Sequence, residues 1–427
     1  MNYPHGLIFP KDLQEKIKEE FCFLTDDEGK KRIFFDNSGG ALRLKRCVEA
    51  KARLEAYPDC PERTHNRARE LKKIVSEGEK AILEIIFGAE EGALITELTA
   101  SQTMFHMVEI ILENSKGTNA VVSAVEHPSA FDAMEYYCKK TNKELRVLPV
   151  NPDTGAVDPQ IIDKYVDENT ALLSVMSASN VTGSIMDIQG IVKKAREINP
   201  SLYIISDAVQ HAPHAVMEAK RLGLDGMNFA PYKFFGVRGC GFAYVSKRVA
   251  NLPHRKLIKK PSTVFELGTS APANFLAAQE IINYVVEIGN YFIQSEDKAT
   301  LFREGMHRIH LHERALLYRL LEGSDSVKGL RHIRGVKVHA DNKDLTKRDL
   351  IAGISIEGIS HQNAVIEYEK RGVIVCDRVR TSIYAERILC ALEIEGAIRV
   401  SPLHCHSFED IDEFLLITNQ LASEYNN

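Results

Sequence analysis

Apolar runs of strand length alternate with helical patterns through the middle of the chain. Residues 120–125, 144–150, 171–176, 202–206, 224–229 and 240–245 are short, strongly apolar segments that predict strands. Between them, 129–140, 188–198 and 211–222 read as helices. Strand and helix in regular alternation predict an α/β fold whose large domain holds a doubly wound, mainly parallel sheet. An amphipathic helix is predicted from about 103 to 114, with Met104, Met107, Val108 and Ile111 on one side. Segments 274–291 and 296–321 read as long helices leading out of that domain. Beyond them, 336–338, 351–356, 373–375 and 397–400 are short strands around helices, which predict a small C-terminal α/β domain. The expected division is an N-terminal segment 1–30 packing with the small domain, a large domain over 31–290 and the small domain over 291–427.

Composition changes this picture little. A formal charge of −5 gives no reason to expect nucleic acid or an anionic membrane as partner. No apolar run approaches bilayer length, and the opening Met1 to His5 lacks a charged start followed by an apolar core. A cytoplasmic protein is expected. The eight cysteines, at 22, 47, 60, 138, 240, 376, 390 and 405, form no Cys-x-x-Cys pair, which fits a reducing compartment. His404-Cys405-His406 resembles a metal cluster, but in a strand the histidines would share one face and Cys405 the other, so no metal is expected.

Two apolar runs end in polar groups that belong together chemically. One ends at Asp207 and Gln210; the other ends at Tyr232 and Lys233, ahead of a Gly-x-x-Gly turn at Gly236 and Gly239. In an open α/β sheet, ligands bind outside the carboxyl ends of strands, so both ends would meet in one crevice. Pyridoxal phosphate needs a lysine amine for its Schiff base and a carboxylate to keep its pyridine nitrogen protonated. Lys233 and Asp207 fit those roles, and the bracketing aromatics Tyr232, Phe234 and Phe235 fit a desolvated amine of lowered pKa. Thr99, Ala100 and Ser101, just before the 103–114 helix, would hold the phosphate with backbone donors, a positive dipole end and hydroxyls. A plain N-cap is the alternative there. His127, at the end of the 121–125 run, could stack on the pyridine ring. Arg399 could bind a substrate carboxylate through two parallel hydrogen bonds.

With these residues in view, the chain resembles the class V aminotransferases, fold-type I pyridoxal-phosphate enzymes that include cysteine desulfurases, selenocysteine lyases and isopenicillin N epimerase. The resemblance runs from about Ile33 to Phe414, in family order: Phe34 to Gly40, Ile95 to Gln102, Val125 to Pro128, Ser179 to Gly183, the Asp207 and Lys233 segments, Phe265 to Thr269, and Ile398 to Ser401 leading into Ser407 to Asp410. Its wording is closest to a cysteine-desulfurase-like branch. The resemblance implies that Asn180 lies over cofactor and substrate, that His127 stacks on the cofactor ring and that Arg399 holds the substrate carboxylate. It also implies that Thr269 reaches the phosphate of a neighbouring subunit, hence a homodimer with shared active sites. Two positions depart from the family: Leu98 stands where a glycine is usual, and Tyr232 replaces the histidine that usually precedes the lysine.

Desulfurases carry a cysteine in the loop before the carboxylate-binding arginine. Spacing back from Arg399 as in the shorter-looped desulfurases gives Tyr384 at that place, and a phenol cannot accept sulfane sulfur. Cys376 lies eight residues further upstream and reads as a buried strand end. The implied function is therefore a pyridoxal-phosphate enzyme on a small α-amino acid, a C–S or C–Se lyase acting by β-elimination without the usual persulfide-forming cysteine. A class V aminotransferase or epimerase is the alternative, and a non-catalytic cofactor-binding protein a third reading.

Overall fold

The computed structural model describes residues 3–426. A first short strand, β1 (Ile33–Phe34), precedes a seven-stranded sheet made of β2 (Ala93–Glu97), β3 (Asn119–Ser123), β4 (Glu144–Leu148), β5 (Thr170–Ser174), β6 (Tyr203–Asp207), β7 (Gly226–Phe229) and β8 (Gly241–Val245). Their spatial order is β2-β8-β7-β6-β5-β3-β4. All pairs are parallel except those of β8, which runs against both β7 and β2. The connection 230–240 between β7 and β8 holds no crossover helix, so β8 returns antiparallel. Strands β3, β5, β7 and β8 are buried at every position, as helix-covered strands must be, whereas edge strand β4 fully buries only Leu148.

Beyond the helices Pro272–Phe292 and Lys298–Glu322, a four-stranded antiparallel sheet follows. It contains β9 (Val336–Val338), β10 (Ala352–Ile356), β12 (Cys376–Val379) and β13 (Gly396–Val400), ordered β12-β13-β10-β9. Strand β11 (Val373–Ile374) pairs in parallel with β1. A second core gathers Ile33 and Phe35 with Leu316, Leu320, Ile354, Ile398 and Phe414. The N-terminal helix Lys11–Glu20 buries Leu13 and Ile17, and Phe21 after it packs edge-on against Phe235 and Tyr284. No described helix is long and apolar enough to cross a membrane.

Three local expectations are corrected. Residues 211–222 form successive turns, not a helix. Pro213 lacks an N–H, Glu218 has φ +42°, and His211 and His214 are tied to Asp349 at 2.8 Å and Glu313 at 2.6 Å, so tertiary partners override the periodicity. The helix expected from about 103 starts at Ala100 and runs to Asn114, because Thr99 caps it. The apolar run 373–375 is split at Val375: β11 serves β1, and β12 begins a different sheet. Strand β2 and the helices Lys45–Glu55 and Asn66–Ala81 are additions to the sequence reading.

Candidate active site

The carboxyl ends of β2, β3, β5, β6 and β7 open on one side of the sheet, and β8, running the other way, begins there. A cavity of about 330 Å³ lies at that edge, lined among others by Thr99, Ala100, Ser101, His127, Asn180, Asp207, Gln210, Tyr232 and Lys233. Each strand thus brings its terminal polar residues to a common crevice.

Lys233 ends a 3₁₀ turn, Pro231–Lys233, that follows β7. Its Nζ donates to the Ser38 carbonyl at 2.7 Å, and Gln210 Nε2 donates to the same oxygen at 3.0 Å. Burial, reinforced by the nearby Arg399 guanidinium and partly opposed by Asp207, lowers the amine to about 7. Two residues on, Phe235 adopts φ +61°, a conformation L residues avoid, and is held there by full burial against Phe21, Phe234, Tyr284 and His404. That packing fixes the lysine loop onto the helix Pro272–Phe292: a Cβ on Gly236 would come within 2.7 Å of Ile281 Cδ1.

Asp207 is buried at the end of β6, where its Oδ1 accepts from Val209 N at 3.0 Å. Burial raises its pKa, while that hydrogen bond and Lys233 pull it down. His127 caps the helix Pro128–Lys140: Ser129 N donates to His127 Nδ1 at 3.2 Å, which leaves the ring proton on Nε2. Burial, with Lys233 and two arginines nearby, lowers its pKa to about 3, so the ring is neutral. Thr99 accepts from Gln102 N at 3.1 Å, the plain capping bond, while Ala100 and Ser101 occupy the first turn, where N–H groups have no intrahelical acceptor.

Arg399 is buried in β13 and crosses to the crevice. Its Nη2 meets Asp36 Oδ1 at 2.6 Å and its Nη1 donates to the Asn180 carbonyl at 3.2 Å. Asn180 Oδ1, buried beside the cavity, has no hydrogen-bond partner among the described residues. Tyr384 is exposed, with its ring 6.3 Å from that of His127 and inclined 29° to it. Thr269 is not among these groups: it is exposed and lines a neighbouring cavity of about 440 Å³, which shares Leu98 and Gly239 with the first.

Cys376 departs from the buried strand end expected for it. It is only partly buried, opens β12 and pairs across the sheet with Arg399. Its Sγ donates to the Asp377 carbonyl at 3.3 Å, and burial raises its pKa, so the thiol is protonated at neutral pH. His404 and His406 lie in a buried turn rather than a strand; His404 Nε2 meets Tyr284 OH at 2.7 Å, and His406 Nδ1 accepts from Leu403 N at 3.0 Å.

Several residues at the site escaped the sequence reading. Arg238 lines the cavity, and its guanidinium lies 4.3 Å over the Tyr232 ring. Ser38 supplies the carbonyl that holds Lys233, its own N–H donating to Ser401 Oγ at 3.0 Å. Glu126, fully buried, accepts from Ser123 Oγ at 2.7 Å and Met176 N at 2.6 Å, joining the ends of β3 and β5; burial pushes it up to about 7. The one available signal was position: Arg238 shares the lysine loop, and Glu126 adjoins His127.

A doubly wound sheet whose strand ends gather a buried lysine and a buried aspartate around one cavity has the architecture of an α/β enzyme. Residues 33–414 match Aminotransferase class-V, and the chain belongs to that family. It is similar to the cysteine desulfurase IscS of Dictyoglomus turgidum, 26% identical over 281 residues covering 63% of this chain and 70% of that protein. It is also similar to a probable cysteine desulfurase of Borreliella burgdorferi, 23% identical over 440 residues covering 96% of this chain and 97% of that one. In structure, it superimposes on the apo cysteine desulfurase of Thermococcus onnurineus NA1 with a TM-score of 0.80 at 21% identity, covering 96% of this chain and 98% of the other. The protein is a cysteine-desulfurase-like enzyme of the class-V family, whose members typically depend on pyridoxal phosphate.

Proposed function

We propose that this enzyme binds pyridoxal 5'-phosphate at Lys233 and cleaves a small α-amino acid at its Cβ substituent by β-elimination, as a C–S or C–Se lyase. The observation that carries this reading is an amine lowered to about 7 that lines one cavity with Asp207 and Asn180, the latter held through its carbonyl by Arg399. Bound there, the cofactor would act as an electron sink for charge developing at the substrate Cα. Asp207 would hold a proton on the pyridine nitrogen, His127 would cover the ring with a neutral face, and Gln210 would fix the Ser38 carbonyl beside the lysine. Ala100 and Ser101 would offer backbone donors to the phosphate, with Thr99 as their cap.

Tyr232, unlike the histidine usual in the family, brings no positive charge, and Arg238 stacked on it supplies one. Arg238→Gln should therefore weaken cofactor affinity by roughly tenfold or more, the margin of one charge-assisted hydrogen bond. Equilibrium titration of the apo protein followed by fluorescence checks this, and an unchanged affinity removes Arg238 from the phosphate site.

Once released, Lys233 would take the Cα proton as general base, while Arg399 fixes the plane of the substrate carboxylate and Asn180 closes over it. Cys376 stands across the sheet from Arg399 and its thiol is protonated; Tyr384 occupies the loop beside His127. Sulfur would leave without attack by a cysteine. Cys376→Ser should keep most activity on cysteine-like substrates, with free sulfide as product. A persulfide on Cys376 by mass spectrometry, together with an inactive variant, restores a desulfurase mechanism.

Thr269, exposed and lining the neighbouring cavity rather than that of its own Lys233, suits a residue that serves the phosphate of a second copy, and we take the active unit to be a homodimer. Sedimentation of a fully active monomer overturns that. The overall reading is tested by offering amino acids to the holoenzyme while following cofactor absorbance, ammonia, sulfide and keto acid. Ammonia with sulfide supports elimination; keto acid without ammonia supports transamination, which shares every residue role above.

A further inference from the structure

Arg387 is carried by the small four-stranded sheet but gives its donors to the end of a strand in the large one. It lies in the short helix Glu386–Ala391, in the connection between β12 and β13. Its Nη1 donates to the Ala124 carbonyl at 2.5 Å and its Nη2 to the Glu126 carbonyl at 2.7 Å, while the guanidinium lies 3.9 Å over the Phe131 ring. Both carbonyls belong to the turn between β3 and the helix Pro128–Lys140, and the Glu126 carbonyl is half of the peptide from which His127 starts. Phe131 stands one turn into that helix, and its N–H donates to the His127 carbonyl at 3.2 Å. One side chain therefore grips the main chain before His127 and the helical turn after it.

The contacts around His127 turn that grip into control of its ring. Ser129, which lines the cavity, meets His127 Nδ1 with its N–H at 3.2 Å and its Oγ at 2.7 Å. A backbone N–H can only donate, so Nδ1 is the acceptor and the hydroxyl donates to it as well. The imidazole is thus tied to its own main chain and follows wherever that chain is placed. The Glu126 side chain is turned inward, accepting from Ser123 Oγ at 2.7 Å and Met176 N at 2.6 Å, so it anchors the same peptide from the opposite side of Arg387. A planar guanidinium with donors in fixed directions sets the tilt of the chain it holds, which a point charge does not.

We propose that Arg387 is a positioning residue for His127: by fixing the peptide ahead of it, the guanidinium holds the imidazole in the place from which it covers the cofactor ring. The inference rests on the cofactor reading proposed above and adds to it the residue through which the small sheet sets the His127 ring. Tyr384 precedes Arg387 by three residues, and its ring stands 6.3 Å from that of His127. The segment 384–387 therefore addresses one imidazole twice, by an aromatic ring and by a grip on its main chain.

The test is a double-mutant cycle on the apo protein. Pyridoxal phosphate is added to wild type, Arg387→Ala, His127→Ala and the double variant. Its dissociation constant is read from fluorescence, and visible circular dichroism of the bound cofactor reports the setting of its ring. Arg387→Ala should weaken cofactor binding by roughly three- to tenfold, the margin of one stacked aromatic pair, and should alter the dichroic band. In the His127→Ala background the same change should cost less than about twofold, because the group through which Arg387 acts is gone. Arg387→Lys, which keeps charge and bulk but not the fork, runs the same cycle if the melting temperature shows that Arg387→Ala does not fold. A loss of equal size with and without His127, or an unchanged dissociation constant in Arg387→Ala, overturns the assignment while leaving the cofactor reading standing. Wild-type protein that binds no cofactor overturns both.

Discussion

Lys233→Ala is expected to leave cofactor bound only noncovalently and to remove turnover. General-base catalysis by a positioned side chain contributes about 10²–10⁴-fold, and the covalent link to the cofactor is lost in the same change. In the wild type, borohydride reduction and peptide mapping should label Lys233 alone. The environment of the amine adds a pH signature. It is lowered to about 7 by burial and by Arg399, so the neutral, attacking form prevails above that pH and the protonated form below it. Reconstitution of the apo protein should accelerate as pH rises to about 7 and then level off. Label on a different lysine, or turnover retained by the variant, ends the assignment. A loss of fold is a separate outcome, detected by the melting temperature. Lys233 Nζ holds the Ser38 carbonyl together with Gln210, whose own bond remains in the variant.

Much of this architecture follows from apolar runs whose period and length leave little choice. Strands β3, β5 and β7 are buried on both faces, so their sequences are apolar apart from strand-end polar residues and the buried Asn228, and are easily read. Strand β2 was harder: Ala93–Glu97 runs straight into the polar loop at Thr99, and its partner β8 lies far along the chain, so nothing local marks it. The 211–222 segment misled for the opposite reason. Its periodicity is helical, but His211 and His214 find carboxylates on distant elements and Pro213 interrupts the ladder. At the site, the strand ends bearing His127, Asp207 and Lys233 were legible because strand-end polar residues in an α/β sheet share a crevice. Arg238 was not, since its meaning comes from the lysine loop folding back on itself, which lays its guanidinium over the Tyr232 ring. Thr269 belongs to a third kind, a residue whose proposed task lies on a second copy of the chain.

Arg399→Ala is expected to cost kcat/KM about 2–5 kcal/mol, the usual range for truncating one partner of a buried, hydrogen-bonded charge pair. At about 1.4 kcal/mol per factor of ten, that is roughly 30-fold to several thousandfold. The size follows from what the guanidinium touches. It is only 3% exposed, meets Asp36 at 2.6 Å and reaches the carbonyl of Asn180, a residue of the cavity lining, so the guanidinium is already held in place when the substrate carboxylate arrives. Removing it leaves Asp36 facing an incoming negative charge, which repels substrate as well as failing to hold it. Both KM and kcat should suffer, because the same contact fixes which Cα bond stands perpendicular to the cofactor ring. Arg399→Lys should recover little, since a point charge cannot reproduce two parallel hydrogen bonds. Asp36→Asn separates the two contributions: it keeps the arginine but loosens its anchor, and should weaken binding far less than Arg399→Ala. A loss below tenfold in Arg399→Ala, with cofactor still bound and the melting temperature unchanged, would show that the substrate carboxylate is held elsewhere.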